Sequence, residues 1–254
     1  MLTHDVAEEW VARWDRQQEN GLPDREERFT ALIDAVVEGA GRPDPLVLDL
    51  GCGPGSLSDR LLERLPRASV VAIDTDPLLL ALAKALHAGR PNLVFADLDL
   101  RTPGWATRLK LGRQADVAIS TTALHWISPA GLRVTYAELA SVLRPGGVFL
   151  NGDHFFVEDA SPTIARLDRL LRERETQRRF GDQPPEDWRQ WWDAVAADPA
   201  LSTLLDMRSD QAVGHHGSES GLLSDHVGVL RDVGFTEVGT LWQRGDNRVL
   251  CAVR

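Results

Sequence analysis

Acidic residues of this 254-residue chain stand where short apolar runs end, and their carboxylates could bind a nucleotide-like ligand. Asp74 lies about 20 residues beyond a cluster of glycines and could accept hydrogen bonds from both hydroxyls of a ribose. Asp76 is the alternative for that role, unless it caps the helix that begins at Pro77. Asp97 ends a later run and could accept the exocyclic amine of an adenine, with Asp99 as the alternative.

A glycine-rich loop at residues 51–55 follows an apolar run and precedes a helix that opens at Ser56. Glycines allow a sharp turn and a close approach to a ligand, and the new helix offers free N–H groups. A dinucleotide-binding loop would place its third glycine at position 56, and Asp49 would repel a pyrophosphate. Because a carboxylate suits the ammonium of an amino acid, the loop indicates an aminoacyl nucleoside.

Apolar periodicity predicts the elements that position these residues. Short runs predict buried strands at 46–50, 70–73, 93–96 and 116–120 and from 148, and helical spacing predicts helices at 5–18, 26–37, 56–65, 77–86 and 132–143. Strands that alternate with helices indicate an α/β fold whose parallel sheet is covered on both faces. A turn is expected at 144–147.

The alternation of strands and helices stops near residue 157. Residues 160–222 are expected to form a helical insertion within a single domain. The alternation resumes with a helix at 225–233 and strands at 235–242 and 248–253. A hairpin turn at 244–247 is expected to join these two strands.

The composition excludes several classes of protein. The net charge of −10 makes nucleic acid an improbable partner. Cys52 and Cys251 lie far apart and predict no disulfide framework, which favours a cytoplasmic protein. No apolar run approaches the roughly 18 residues that cross a bilayer, and residues 1–20 do not resemble a signal peptide, so no membrane is expected.

Several stretches resemble, in order and spacing, the class I S-adenosylmethionine-dependent methyltransferases. They are residues 47–55, 71–74, 95–98 and 143–149. Residues 121–127 are similar to the small-molecule subgroup that includes trans-aconitate methyltransferase. The resemblance covers about residues 25–155 and the last two strands. It implies a Rossmann-like, doubly wound sheet of seven strands with an antiparallel last strand, and S-adenosylmethionine as cofactor, released as S-adenosylhomocysteine.

The resemblance also implies a role for each part of the cofactor site. Asp49 and the loop residues Gly51, Cys52, Gly53 and Gly55 would hold the methionine part, and Asp74 with Thr75 would hold the ribose. Asp97 would take the adenine amine, while the backbone of Leu98 reads the ring edge. Ser120 and Thr121 would line the methionine and the substrate side. No metal is expected, because His215 and His216 lack a paired ligand spacing.

Two histidines are candidates for a general base, His125 after the fourth strand and His154 after the fifth. Either could instead be a packed polar residue, and a carboxylate or enolate acceptor would need no base. The predicted substrate contacts are Trp14, Trp126, Trp188 and Trp192. The helices within residues 1–40 would act as a lid and the insertion as a substrate cap, although Trp10 and Trp14 could equally be core residues.

The favoured function is methyl transfer to a small-molecule acceptor. Two alternatives stay open: a methyltransferase acting on RNA or protein, and a non-catalytic protein that binds S-adenosylmethionine.

Overall fold

A seven-stranded sheet forms the centre of the computed structural model, which describes residues 2–156, 161–210 and 221–254. The strands are β1 (Leu46–Leu50), β2 (Ser69–Asp74), β3 (Leu93–Asp97), β4 (Ala115–Thr121), β5 (Leu143–His154), β6 (Glu237–Arg244) and β7 (Asn247–Val253). Their order is β3-β2-β1-β4-β5-β7-β6, and β7 runs antiparallel to the other six strands. The predicted fold class is confirmed.

Helices flank the sheet and fill the predicted insertion. They are α1 (His4–Gly21), α2 (Arg25–Gly39), α3 (Ser56–Arg64), α4 (Pro77–Leu86), α5 (Trp105–Arg108), α6 (Pro129–Val142), α7 (Pro162–Phe180), α8 (Trp188–Ala197), α9 (Ser202–Asp210) and α10 (Leu223–Asp232). A 3₁₀ turn covers Leu124–Trp126. The insertion's remaining positions, 160 and 211–220 with His215 and His216, lie outside the described residues.

Successive strand residues point to opposite faces of the sheet, which gives the molecule two main cores. On β1, Leu48 packs with the cluster under α6 and α10, while Val47 packs with the cluster under α2 and α3. Because both faces are covered, the apolar runs read from the sequence are nearly continuous rather than alternating.

The two N-terminal helices, predicted together as a lid, have different surroundings. Helix α2 covers the sheet through Phe29, Leu32 and Val36. Helix α1 packs on α4 and α8 in a third apolar cluster, where Trp10 and Trp191 meet edge to face with ring centroids 5.6 Å apart. The tryptophan face of α1 is therefore packed against the insertion.

The segment 144–147 departs from the prediction, because it belongs to β5 instead of forming a separate turn. Strand β5 begins at Leu143, and its register against β4 shifts between Ala115 and Val117. A bulge of this kind inserts residues without ending the strand. Helix α6 also begins earlier than predicted, at Pro129, since Ser128 caps it by accepting from the Gly131 N–H at 3.3 Å.

No helix among the described residues is long and apolar enough to cross a membrane.

Candidate active site

A cavity of about 560 Å³ opens where the carboxyl ends of β1, β2 and β4 meet. Ligands of open α/β sheets bind at this edge. Its walls come from the glycine loop, the end of β2, the segment after β4 and helix α1; among the lining residues are Trp14, Gln17, Arg25, Gly51, Cys52, Gly53, Asp74, Thr75, Thr121, His125, Trp126, His154 and Trp188.

The glycine loop is held by backbone hydrogen bonds to the end of β2. Gly51 has a φ of +73°, and a Cβ added there would lie 2.3 Å from the Cβ of Ala123. The N–H groups of Gly51 and Cys52 both donate to the carbonyl of Ile73, at 2.8 and 3.0 Å. Gly55, with a φ of +89°, forms the N-cap of α3. A side chain at Gly51 would therefore disrupt the loop.

Asp74, the predicted ribose contact, ends β2 and lines the cavity. Its carboxylate accepts three backbone N–H groups, from Gly53 and Thr75 at 2.7 Å and from Asp76 at 2.9 Å. Burial raises the pKa of Asp74, and the three N–H groups oppose that rise. Asp76 instead caps α4 by accepting from Leu78 and Leu79.

Asp49 lies beneath the loop, fully buried and outside the cavity lining. One carboxylate oxygen accepts from the Ser58 hydroxyl at 2.6 Å, and the other has no partner among the described residues. Burial raises the pKa of Asp49 to about 7, although Ser58 opposes the rise. An unpaired buried acceptor favours a cationic ligand group above it.

The predicted adenine contacts lie away from the cavity. Asp97 is exposed and Leu98 is buried, and neither belongs to the lining. The N–H of Leu98 donates to the Asp74 carbonyl at 3.0 Å. That bond holds the start of the loop after β3 against β2.

The two residues predicted at the end of β4, Ser120 and Thr121, have different surroundings. Thr121 lines the cavity. Ser120 does not, because it is fully buried and its hydroxyl donates to the Leu50 carbonyl at 2.8 Å. Its role is to tie β4 to β1, and the prediction that it lines the substrate side is wrong.

His125 is paired with a buried carboxylate. Its Nδ1 lies 2.8 Å from Oδ1 of Asp153, and its ring packs on Trp126 with centroids 4.5 Å apart. Burial alone would raise the pKa of Asp153, but the charges of His125 and Arg28 hold it below the usual value. An ionised partner at Nδ1 leaves Nε2 as the nitrogen available to a ligand.

His154 also lines the cavity, but its Nδ1 is held by other groups. It lies 3.3 Å from both Arg172 of α7 and Asp246 of the β6–β7 hairpin. Both side chains also border a second, smaller cavity of about 150 Å³ between α7 and the hairpin. His154 thus links the insertion to the sheet.

Three of the four predicted tryptophans line the cavity: Trp14, Trp126 and Trp188. Trp192 does not, so that prediction is wrong. It packs against Trp191 at 4.9 Å and lies under the guanidinium of Arg208 at 4.1 Å. It stabilises the contact between α8 and α9.

The sequence reasoning missed two residues of this site, Asp153 as the partner of His125 and Arg28 behind it. Arg28 is fully buried and donates to the Thr121 hydroxyl at 2.8 Å. A signal was present: Arg25 and Arg28 continue the apolar stripe of α2 that contains Phe29 and Leu32, so both arginines had to face inward.

Comparisons with known proteins agree with this geometry. Residues 47–147 match the family model described as "Methyltransferase domain". A trans-aconitate 2-methyltransferase of Deinococcus radiodurans is 36% identical over 146 residues, which are 56% of this chain and 51% of that protein. A malonyl-(acyl-carrier protein) O-methyltransferase of Halalkalibacterium halodurans is 27% identical over 123 residues, 48% of this chain and 44% of that protein.

The fold is shared with solved structures as well. An O-methyltransferase family protein from Burkholderia thailandensis has a TM-score of 0.57 and 21% identity, covering 99% of this chain and 63% of that chain. The chain spans about half the length of the curated relatives it matches. With its glycine loop, its sheet order and these matches, the chain is similar to class I S-adenosylmethionine-dependent methyltransferases, including proteins named trans-aconitate 2-methyltransferase.

Proposed function

We propose that this chain transfers a methyl group from S-adenosylmethionine to a small-molecule acceptor. One observation carries the proposal: Asp74, the glycine loop and His125 line a single cavity. A cofactor and an acceptor bound together in this cavity would therefore contact both the cofactor residues and the candidate base.

The residues present fit this cofactor. The crowded turn at Gly51 brings backbone close to the cavity, and the unpaired oxygen of Asp49 favours a cation over the loop. We assign the methionine part to the loop and Asp49 and the ribose to Asp74 with Thr75. We assign the adenine to Asp97, which lies outside the cavity lining but pairs with Asp74 in the register of β2 and β3. When bound, the cofactor supplies an electrophilic methyl group on a sulfonium.

Cys52 lines the same cavity but does not compete for the methyl group. Burial, with the nearby charges of Asp74 and Asp49, raises the pKa of the Cys52 thiol well above its usual value. The thiol therefore stays protonated at neutral pH, and the protonated form is a poor nucleophile.

His125 is the proposed base for an acceptor that carries a proton on its nucleophilic atom. Asp153 orients its ring, and Nε2 is the nitrogen that would accept the proton. We prefer His125 to His154, because Arg172 and Asp246 hold His154 from the side of the insertion. A carboxylate acceptor would be methylated without a base.

The acceptors that the relatives' names give are carboxylic acids, trans-aconitate and a malonyl group. Small carboxylic acids are therefore the first acceptors to test. Trp126 and Trp188 would shield the reacting atoms from water, with α1 as a lid and the insertion as a cap over the cavity. We place the reaction in the cytoplasm, where Cys52 and Cys251 stay free thiols.

An acceptor screen tests the proposal. Purified protein is incubated with S-adenosylmethionine and one candidate acid at a time, and released S-adenosylhomocysteine and methylated product are measured by mass spectrometry. We expect turnover with at least one small acid and none with the Asp74→Ala variant. Cofactor binding without turnover on any class of acceptor would favour the non-catalytic alternative.

A protein-borne acceptor is the second candidate, and one surface favours it. Helix α7 contains six arginines and three acidic residues in a chain of net charge −10, and it exposes Ile164, Leu167 and Leu171. Such a face suits an acidic carrier protein. Turnover on a malonyl-loaded carrier but not on free acids would establish this candidate. The overall charge opposes RNA, and nucleic acid that copurifies with the protein would revive it.

A further inference from the structure

Arg28 of α2 is a fully buried arginine directly behind the cavity wall. Its Nη2 donates to Thr121 Oγ1 at 2.8 Å, and its Nη1 donates to Asn247 Oδ1 at 2.9 Å. A side chain at Gly152 would obstruct it, since a Cβ there would lie 2.9 Å from Arg28 Cδ. Burying a guanidinium is costly, so its position calls for an anionic partner.

The anion whose charge acts most strongly on Arg28 is Asp153, which is 1% exposed and follows Gly152, although no hydrogen bond joins the two side chains. Asp153 Oδ1 accepts from the His154 backbone at 2.8 Å and pairs with His125 Nδ1. Its Oδ2 has no hydrogen-bond partner among the described residues, and neither has Arg28 Nε. Burial lowers the pKa of Arg28 to about 10, and the charge of Asp153 opposes that fall. Arg28 therefore remains a cation at neutral pH.

We infer that Arg28 is a positioning residue for the proposed base. Its cation keeps Asp153 ionised, and ionised Asp153 holds His125 with Nδ1 protonated and Nε2 free toward the acceptor. The inference rests on the proposed function, because it concerns the role of His125 in that reaction. Arg28, on helix α2, would thus be a third residue of the group formed by His125 after β4 and Asp153 on β5.

The sign of the effect follows from the charges. Removing a cation beside the pair stabilises its protonated state, so the pair releases its proton at a higher pH. The other ionisable groups facing the pair and Arg28 are Arg25 and Asp24 from α2 and the turn before it, His154 from β5 and Tyr136 from α6. All of them remain in the Arg28 variants, so a difference reports on Arg28.

Nuclear magnetic resonance of protein labelled with ¹⁵N-histidine tests the inference directly. The His125 signal, assigned from its loss in His125→Gln, is followed against pH in the wild type, Arg28→Met and Arg28→Lys. We expect the titration midpoint to rise by about one pH unit in Arg28→Met. Arg28→Lys, which keeps the cation, should bring the midpoint most of the way back.

Arg144→Met is the matched control, since it removes a partly buried arginine at the other end of β5, where Arg144 pairs with Asp116 at 3.1 Å. Its His125 midpoint should stay within a few tenths of a unit. An Arg28→Met midpoint equal to the wild type overturns the inference, as does an equal rise in Arg144→Met.

A second variant keeps the test open if Arg28→Met does not fold. Asn247 accepts from Arg28 and donates to Asp24 Oδ1 at 2.8 Å, so Asp24→Asn with Asn247→Asp moves one negative charge next to Arg28 at constant net charge. The midpoint should again rise, by a smaller amount, and an unchanged midpoint would count against the inference. Because this titration needs no cofactor or acceptor, its failure is distinct from a failed turnover assay.

Discussion

The part of the cavity formed by residues 51–55 and Asp74 is fixed by backbone groups, whereas the part around His125 is fixed by side chains. We call them the cofactor half and the acceptor half. In the cofactor half, N–H groups of the loop and of the end of β2 converge on the Ile73 carbonyl and the Asp74 carboxylate. In the acceptor half, His125 depends on Asp153, which lies 28 residues away.

The difference predicts how each half responds to substitution. A site held by backbone geometry is disrupted by added atoms, but its shape depends little on any single distant side chain. A site held by paired side chains can be dismantled one partner at a time while the fold persists. The following variants test that contrast, from the largest expected effect to the smallest.

Gly51→Ala should damage the cofactor half most. The added Cβ would lie 2.3 Å from that of Ala123, at a backbone φ of +73° that alanine disfavours. We expect a loss of about 3 kcal/mol in the free energy of unfolding, measured with urea, and no detectable S-adenosylhomocysteine binding. Gly89→Ala is the control, because a Cβ there meets nothing within 4 Å. Equal stabilities of the two variants would contradict the account.

His125→Gln should disable the acceptor half alone. With an acceptor whose nucleophile carries a proton, we expect kcat to fall about 100-fold while binding of S-adenosylhomocysteine is kept. His154→Gln should cost far less, since His154 is held by Arg172 and Asp246. Steady-state kinetics of both variants decides this, and equal losses in the two would refute the choice of His125.

Asp49→Asn should separate stability from binding within the cofactor half. Burial raises the pKa of Asp49 from 3.8 to about 7, so the folded chain favours the protonated carboxyl. This contribution to stability is complete below the pKa of the unfolded chain and is lost as the pH rises through about 7. At pH 8 the free energy of unfolding of the variant should therefore exceed that of the wild type by about 4 kcal/mol, since each unit of pKa shift corresponds to about 1.4 kcal/mol.

The same variant should bind S-adenosylhomocysteine more weakly, because an amide cannot balance an ammonium. Urea unfolding at pH 5 and pH 8, with calorimetric titration of the ligand, measures both effects. Stability curves of wild type and variant that run parallel between the two pH values would show that Asp49 is not protonated as described.

Trp188→Ala should have the smallest effect, confined to the acceptor. Trp188 lines the cavity and Trp192 does not, although both belong to α8. We expect the KM of the acceptor to rise about tenfold in Trp188→Ala, with kcat reduced less. Trp192→Ala should lower the melting temperature and leave that KM unchanged. The reverse pattern would place the substrate on the other face of α8.

The cofactor half was largely predictable because its signals are local. The loop, Asp49 and Asp74 follow buried strands at short spacing, and parallel strands bring their carboxyl ends to one edge. The sequence could not predict which way a polar group points where a single hydrogen bond decides it. The Ser120 hydroxyl turns to the Leu50 carbonyl, and the Leu98 N–H turns to Asp74, and neither choice is written in the local sequence.

The acceptor half was harder to predict because tertiary contacts assemble it. Arg28 contacts Thr121 and Asn247, which are 93 and 219 residues away. Helical periodicity could place Arg28 on the buried face of α2, but only the packing of α2 on the end of β5 brings its charge to Asp153. Similarly, Trp188 and Trp192 lie on one short helix, and its docking against α1 decides which of them reaches the cavity.

Calorimetric titration with S-adenosylmethionine and S-adenosylhomocysteine, for the wild type and Asp74→Ala, tests the central claim most directly. Asp232→Ala, which removes an exposed carboxylate outside the cavity lining, is the control. The account predicts saturable binding of both ligands by the wild type and the control, and a loss of about 100-fold or more in Asp74→Ala. Well-folded wild type that binds neither ligand, or Asp74→Ala that binds as the wild type does, would contradict it.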